Sequence, residues 1–195
     1  MEPTPRIILA STSRYRRELL ARLGLPFEVV SPSVDETALP REAPQDTARR
    51  LAEAKARAVA SRFAEAVVIG SDQVAVLENM ILGKPGDHAT ALRQLRAMRG
   101  KEVVFHTALC VLRASGGQAL TRVVPFHVRF RDYSDAQIER YLEREQPYDC
   151  AGSARAEGLG IALIASMRGD DPNALIGLPL IALTEMLAAQ GVSVL

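Results

Sequence analysis

Arg6-Ile-Ile-Leu-Ala-Ser-Thr-Ser-Arg-Tyr-Arg-Arg-Glu-Leu-Leu20 decides the fold class of this chain. Residues 6–10 form a short Ile/Leu-rich run bounded by hydroxyl residues, the pattern of a buried strand. Beyond it Leu19, Leu20 and Leu23 recur on one helical face, so the spacing predicts a basic helix from about Ser13 to Leu23, stopped by Gly24. A strand feeding directly into a helix is the repeating unit of α/β architecture, and the remaining sequence continues the alternation.

Working outward, Leu25–Val30 reads as a second strand and Ser31–Pro44, rich in Pro, Ser and acids, as a loop. Asp46 is expected to N-cap a long Ala/Arg helix reaching Phe63. Ala66–Gly70 is a third strand, apolar enough to be buried on both faces. Gln73–Leu77 and Met80–Leu82 flank Glu78-Asn79 as a hairpin, and Asp87–Met98 carries Leu92, Leu95 and Met98 at helical spacing. Glu102–Arg113 and Gln118–Arg131 are long β runs joined at Gly116-Gly117. Ser134 with Gln137 forms a capping box for a helix ending before Pro147. Gly158–Ile164 reads as a strand, and Pro179–Gln190 as a final helix with Pro in its first turn. The expectation is an α/β or α+β mixed sheet forming one unit over 1–195, with a split near residue 86 as the alternative.

Composition removes several functions. The 195 residues carry 24 Lys+Arg against 23 Asp+Glu, a net charge of +1, which disfavours nucleic acid or membrane as an electrostatic partner. Trp is absent and aromatics are 5% of the chain, too few for a base-stacking platform. Hydrophobic residues at 48% and charged residues at 24% are globular values. Cys110 and Cys150 lack zinc-ligand spacing, and two thiols make no disulfide framework. Neither a signal peptide nor a run of 18 apolar residues is present, so a reducing cytoplasmic location is expected.

Five segments bear chemistry. Ser11-Thr-Ser13-Arg14-Tyr15-Arg16-Arg17 sits where a strand meets a helix, and free N–H groups with forked arginines there suit a phosphate-type anion. The same residues equally make an N-cap with solvated arginines. GxGxxG and GxxxxGK[ST] are missing, so dinucleotide and Walker-type binding are unsupported. Gly70-Ser-Asp72-Gln73 follows a buried strand, where an acid can bind Mg²⁺ or activate water, or merely cap a turn. Asp35-Glu36, Lys55 and Gly83-Lys84-Pro85 read individually as surface residues, but together supply acids for a metal and cations for a triphosphate. Cys150-Ala-Gly-Ser-Ala-Arg-Ala-Glu157-Gly-Leu-Gly160 suits close approach to a flat ligand, or a tight bend before a strand. Gly169-Asp-Asp-Pro-Asn-Ala-Leu-Ile-Gly-Leu-Pro179 reads as a turn and a helix start. His88, His106 and His127 fit structural positions better than a triad.

In this order the segments resemble the Maf family of nucleoside triphosphate pyrophosphatases. The match covers LASTS at 9–13, VDET at 34–37, GSDQV at 70–74, GKP at 83–85, CAGSARAEGLG at 150–160 and DDPNALIGLPL at 170–180. The resemblance implies an elongated mixed sheet flanked by helices, with a central cleft between two lobes. It implies a cytoplasmic, often dimeric, divalent-metal enzyme (Mg or Mn) that converts modified nucleoside triphosphates to monophosphate and pyrophosphate. By position it implies Asp72 as proton acceptor, and Ser11, Arg16, Lys55 and Lys84 as triphosphate-binding residues. Glu36 and Asp72 are implied as the metal-side acids.

The chain departs from the common Pro-Arg-Arg after the second serine, having Arg14-Tyr15-Arg16. The trio Tyr15, Gln73 and Glu157 replaces the Arg, Thr and Gln of the dTTP/UTP-type branch, and is similar to the branch acting on 7-methyl-GTP. The chemistry agrees, because a cationic methylated guanine is attracted to an aromatic face and its N–H groups to a carboxylate. The rival expectations are a dTTP/UTP-type pyrophosphatase and a non-catalytic nucleotide-binding regulator of cell division.

Overall fold

The computed structural model describes residues 5–116 and 118–195. Its centre is a seven-stranded mixed sheet. β1 (Ile7–Ala10) lies parallel between β2 (Glu28–Val30) and β3 (Val67–Leu77). β5 (Glu102–Arg113), β6 (Leu120–Phe130) and β7 (Ile164–Arg168) continue antiparallel in the order β2-β1-β3-β5-β6-β7, and β4 (Met80–Leu82) pairs with β3. Mixed α/β architecture with flanking helices is as the sequence implies.

The sheet period of two divides β3 between two cores. Val68 and Val74 face α2 (Pro44–Ala60), whose Ala48, Ala52, Ala56 and Val59 stripe packs closely because its side chains are small. Gly70 belongs to this contact: a Cβ there would lie 2.2 Å from the Ala52 carbonyl oxygen, so only glycine lets α2 settle on the sheet. On the opposite face Val67, Ile69, Ala75 and Leu77 join the larger core. That core is closed by α1 (Arg14–Ala21), α3 (His88–Met98), α4 (Asp135–Glu145) and α6 (Leu180–Ala189). No helix among the described residues is long and apolar enough to cross a membrane.

Local signals explain most boundaries. Ser13 caps α1 by accepting from Arg16 N, Asp87 caps α3, and Ser134 with Gln137 makes the expected capping box of α4. The β3–β4 hairpin turns at Glu78-Asn79 as expected. Gly116 lies in the β5–β6 turn, while Gly117, its expected partner, lies outside the described residues.

Four expectations are corrected. α2 is capped by Ala43 with Pro44 at its first position, so Asp46 is not the N-cap; it stands in the first turn, where its charge favours the helix dipole. The strand expected to end at Gly70 runs unbroken through Ser71 and Asp72 to Leu77, because β5 pairs with it throughout. Gly158–Ile164 is not a strand: Leu159–Leu163 forms a 3₁₀ turn, and strand β7 starts at Ile164. Gly158 sits against the Glu145 carboxylate, and Gly160 against the Arg155 backbone, where a Cβ would lie 2.5 Å from the carbonyl oxygen and no side chain fits. Pro179 is the cap of α6 rather than part of its first turn, and a short α5 (Pro172–Ile176), capped by Asp171, precedes it.

Candidate active site

Continuity of β3 creates a notch. On its first edge β1 pairs with Val67–Gly70 and β4 with Ala75–Leu77, leaving Ser71–Val74 between them without a strand neighbour. The backbone there stays rigid because β5 holds the other edge. Through this gap side chains from both faces of β3 reach one cleft of about 760 Å³. Ser11, Tyr15, Arg16, Glu36, Lys55, Asp72, Gln73, Lys84 and Glu157 all line it, so the residues that the family resemblance implies are brought together, whereas Asp35 and Arg17 are not among its lining residues. His88, His106 and His127 are not among its lining residues.

On the α2 face, Lys55 Nζ lies 2.7 Å from Asp72 Oδ1 and 2.8 Å from Glu36 Oε1. Lys55 is 5% and Asp72 7% exposed, whereas the Glu36 side chain is open to solvent. A lysine this deep needs a counter-charge, and Asp72 supplies it. Glu36 comes from the loop before α2, which is strapped down by Glu42. The Glu42 carboxylate accepts from Arg50 (2.6 and 2.8 Å), Leu39 N and Thr47, while Arg50 also donates to Thr37 O. Partial burial alone would raise the Glu36 pKa; the Lys55 hydrogen bond and charge, with Lys84 and Arg16 beyond, outweigh it and lower the pKa.

Arg16 reaches the cleft floor from α1 and is held by its Nε, which donates to Gly177 O at 2.9 Å. Burial lowers its pKa, opposed by the charges of Asp72 and Glu36, and a guanidinium stays protonated regardless. Ser11 Oγ accepts from Ser13 N at the β1–α1 turn, and Lys84 stands exposed after β4. Gln73, next to Asp72, points to the other face, where Nε2 donates to Thr107 Oγ1, Ala174 O and Leu175 O. Carbonyl acceptors fix which end of that amide is nitrogen. Its two N–H donors are thereby shared among the Thr107 hydroxyl of β5 and two carbonyls of α5.

Tyr15 marks the far end. Its ring lies under Arg14 (4.7 Å) and Arg155 (5.5 Å), and its hydroxyl stands 3.3 Å from Asp149 Oδ2 and 3.6 Å from Cys150 Sγ. Burial pushes the Tyr15 hydroxyl up to about 12 and the Cys150 thiol to about 11, so both stay protonated at neutral pH. Asp149 and Arg155 escape sequence reasoning as site residues. Arg155 lies inside the quoted 150–160 motif and Asp149 directly before it, but nothing local indicates that either would meet a residue of the first helix.

The donor set fits a hard divalent cation of the Mg²⁺ or Mn²⁺ kind. Glu36 and Asp72 share one ammonium, and no group of three or more His, Cys, Asp or Glu that could hold a metal occurs among the described residues. Such cations accept one or two protein carboxylates when substrate phosphates and water complete the shell.

Cations and acids gathered at a sheet notch, facing an aromatic end, define an α/β protein suited to a polyanion with a flat head group. The chain belongs to the Maf family: the model described as Maf-like protein matches residues 6–190. It is 63% identical over 191 residues to a 7-methyl-GTP pyrophosphatase of Methylobacillus flagellatus, covering 98% of this chain and 100% of that protein. Proteins of the same name from Nitrosococcus oceani (59%) and Thiobacillus denitrificans (60%) each match 98% of this chain and 96% of their own length.

Proposed function

We propose that this chain hydrolyses the α–β phosphoanhydride of 7-methyl-GTP, releasing 7-methyl-GMP and pyrophosphate in a reducing cytoplasm. The observation that carries the reading is the Lys55 ammonium joining Asp72 and Glu36 in the cleft that also holds Tyr15 and Glu157. The names of the relatives support the substrate, and the free state of Cys110 and Cys150 accords with the location.

In this reading the triphosphate lies along Ser11, Arg16, Lys55 and Lys84, whose cations stabilise charge building on the pyrophosphate. Asp72, held by Lys55 through Oδ1, uses its other oxygen to orient a water and take its proton. A divalent cation held by Glu36 and Asp72 would neutralise phosphate oxygens when bound. Tyr15 offers its face to the methylated base, Glu157 accepts its N–H groups, and Gln73 shapes the wall between base and phosphates.

A panel of nucleoside triphosphates with pyrophosphate detection, at several divalent cations, tests this. Expected are fastest turnover of 7-methyl-GTP and a loss of at least about 100-fold in Asp72→Asn. Negligible 7-methyl-GTP turnover beside rapid dTTP or UTP turnover overturns the substrate. Binding without hydrolysis at any divalent metal overturns the enzyme reading, and near-wild-type Asp72→Asn removes Asp72 from its role.

A further inference from the structure

Two cations supplied by the chain already stand at the base end of the cleft: Arg14, which lies 4.7 Å over the Tyr15 ring and donates to its hydroxyl, and Arg155. The Arg155 guanidinium lies 5.5 Å over the Tyr15 ring, and its Nε is 3.4 Å from Glu157 Oε1. Its Nη1 donates to Glu145 Oε1 at 3.0 Å. One side chain therefore touches both groups that the proposed function assigns to the methylated base, and a third acid besides.

The three contacts differ in firmness. Glu145 is a fixed anchor: its side chain is 13% exposed, and Oε2 accepts from Leu159 N at 2.8 Å. The Arg155 backbone is fixed too, its N–H donating to the Tyr141 hydroxyl at 3.0 Å. By contrast, 3.4 Å is at the long end for a charged hydrogen bond, and 5.5 Å is near the outer reach of a cation–π contact. The guanidinium is tight on Glu145 and loose on Tyr15 and Glu157, so leaving the latter two costs it little while Glu145 retains it.

We propose that Arg155 is a specificity-determining residue, an internal cation that holds the Tyr15 face and the Glu157 carboxylate until a cationic base displaces it onto Glu145. A 7-methylguanine ring replaces one cation by another, so both the aromatic face and the carboxylate keep a positive partner. A neutral guanine satisfies Glu157 by hydrogen bonds, but leaves the carboxylate without its counter-charge and the Tyr15 ring with Arg14 alone, at 4.7 Å, in place of two cations. Arg155 thereby sets a threshold that the methylated base passes more readily than the unmethylated one. This rests on the 7-methyl-GTP reading above.

The test compares kcat/KM for 7-methyl-GTP and GTP in wild type, Arg155→Gln and Arg155→Lys, with dissociation constants for 7-methyl-GMP and GMP by calorimetry. The wild-type arm is read first: no preference for the methylated nucleotide there overturns the substrate reading and this proposal with it. Given that preference, Arg155→Gln should lower the 7-methyl-GTP/GTP ratio about tenfold, through a lower KM for GTP and tighter GMP binding. Arg155→Lys, which keeps a cation, should restore most of the ratio. The ratio does not depend on the fraction of folded enzyme, so partial instability of a variant leaves it readable. An unchanged ratio with both substrates slowed together overturns the proposal, since Arg155 would then only brace Glu145. A ratio that rises overturns it as well.

Discussion

The Lys55 ammonium on α2 lies 2.7 Å from the Asp72 carboxylate on β3, both nearly fully buried. The pair joins the helix to the sheet at the notch, so stability and activity meet in one contact. Lys55→Met should cost about 3 kcal/mol in urea unfolding, because it strands a buried carboxylate. Adding Asp72→Leu should recover most of that loss while leaving no pyrophosphatase activity. A double variant no more stable than the single one would show that the buried charge is not the origin of the cost.

Gly70 should tolerate no side chain. Its Cβ would fall 2.2 Å from Ala52 O and 2.8 Å from Ala56 N, both backbone atoms of α2. Gly70→Ala should lower stability by about 3 kcal/mol and push the helix, with Lys55, away from Asp72. Thermal unfolding and the turnover of the surviving protein measure the two effects. Wild-type values of both would mean that α2 shifts at no cost.

Arg50 should matter to substrate binding without touching substrate. It ties Glu42 and the Thr37 carbonyl to α2 and so keeps the loop bearing Glu36 over the cleft. Arg50→Ala should raise KM for the nucleotide about tenfold, with a smaller change in kcat. Limited proteolysis should find the 35–42 segment newly cleavable in the variant. An unchanged KM with a protected loop would assign the fixing of Glu36 to Lys55 alone.

Stability should decline above pH 9. Burial pushes the Cys110 thiol, beneath α2, from an ordinary 9.0 up to about 11, with Thr121 only partly opposing. The folded state thus holds the proton that the unfolded chain releases first. This contribution is complete below pH 9 and disappears as pH rises through about 11, a loss of about 2 kcal/mol. Urea unfolding at pH 8, 9.5 and 11 measures it. Cys110→Ala should be slightly less stable at pH 8 but lose less between pH 8 and 11; parallel curves would remove Cys110 as the cause.

Much of the architecture is legible because its signals are local. Ser13, Asp87 and Ser134 mark helix starts through hydrogen bonds to N–H groups two or three residues away, which sequence spacing contains. Ile7–Ala10 and Val67–Ile69 are uniformly apolar, which requires burial on both faces. The readings that fail depend on distant partners. Gly70-Ser71-Asp72 has turn composition, yet the glycine is needed by α2, the single O–H of Ser71 is shared between Ala108 O and Gly177 O, and Asp72 is paired by Lys55. Gly158–Ile164 has strand-like apolar content, yet its glycines are pressed against α4 and the preceding loop.

By itself the sequence determined the alternation of strands and helices, the residues able to carry charge and the ordered motifs of the Maf family, because residue type and short spacing suffice for these. Only the tertiary structure decided that β3 runs on past β1 and that the gap before β4 opens both faces of the sheet to one cleft. It alone set Arg155 over Tyr15, 140 positions apart in the chain. Strand length depends on which neighbours supply hydrogen bonds, and charge pairing depends on which segments the core brings together. Both are consequences of packing, and neither has a local signature.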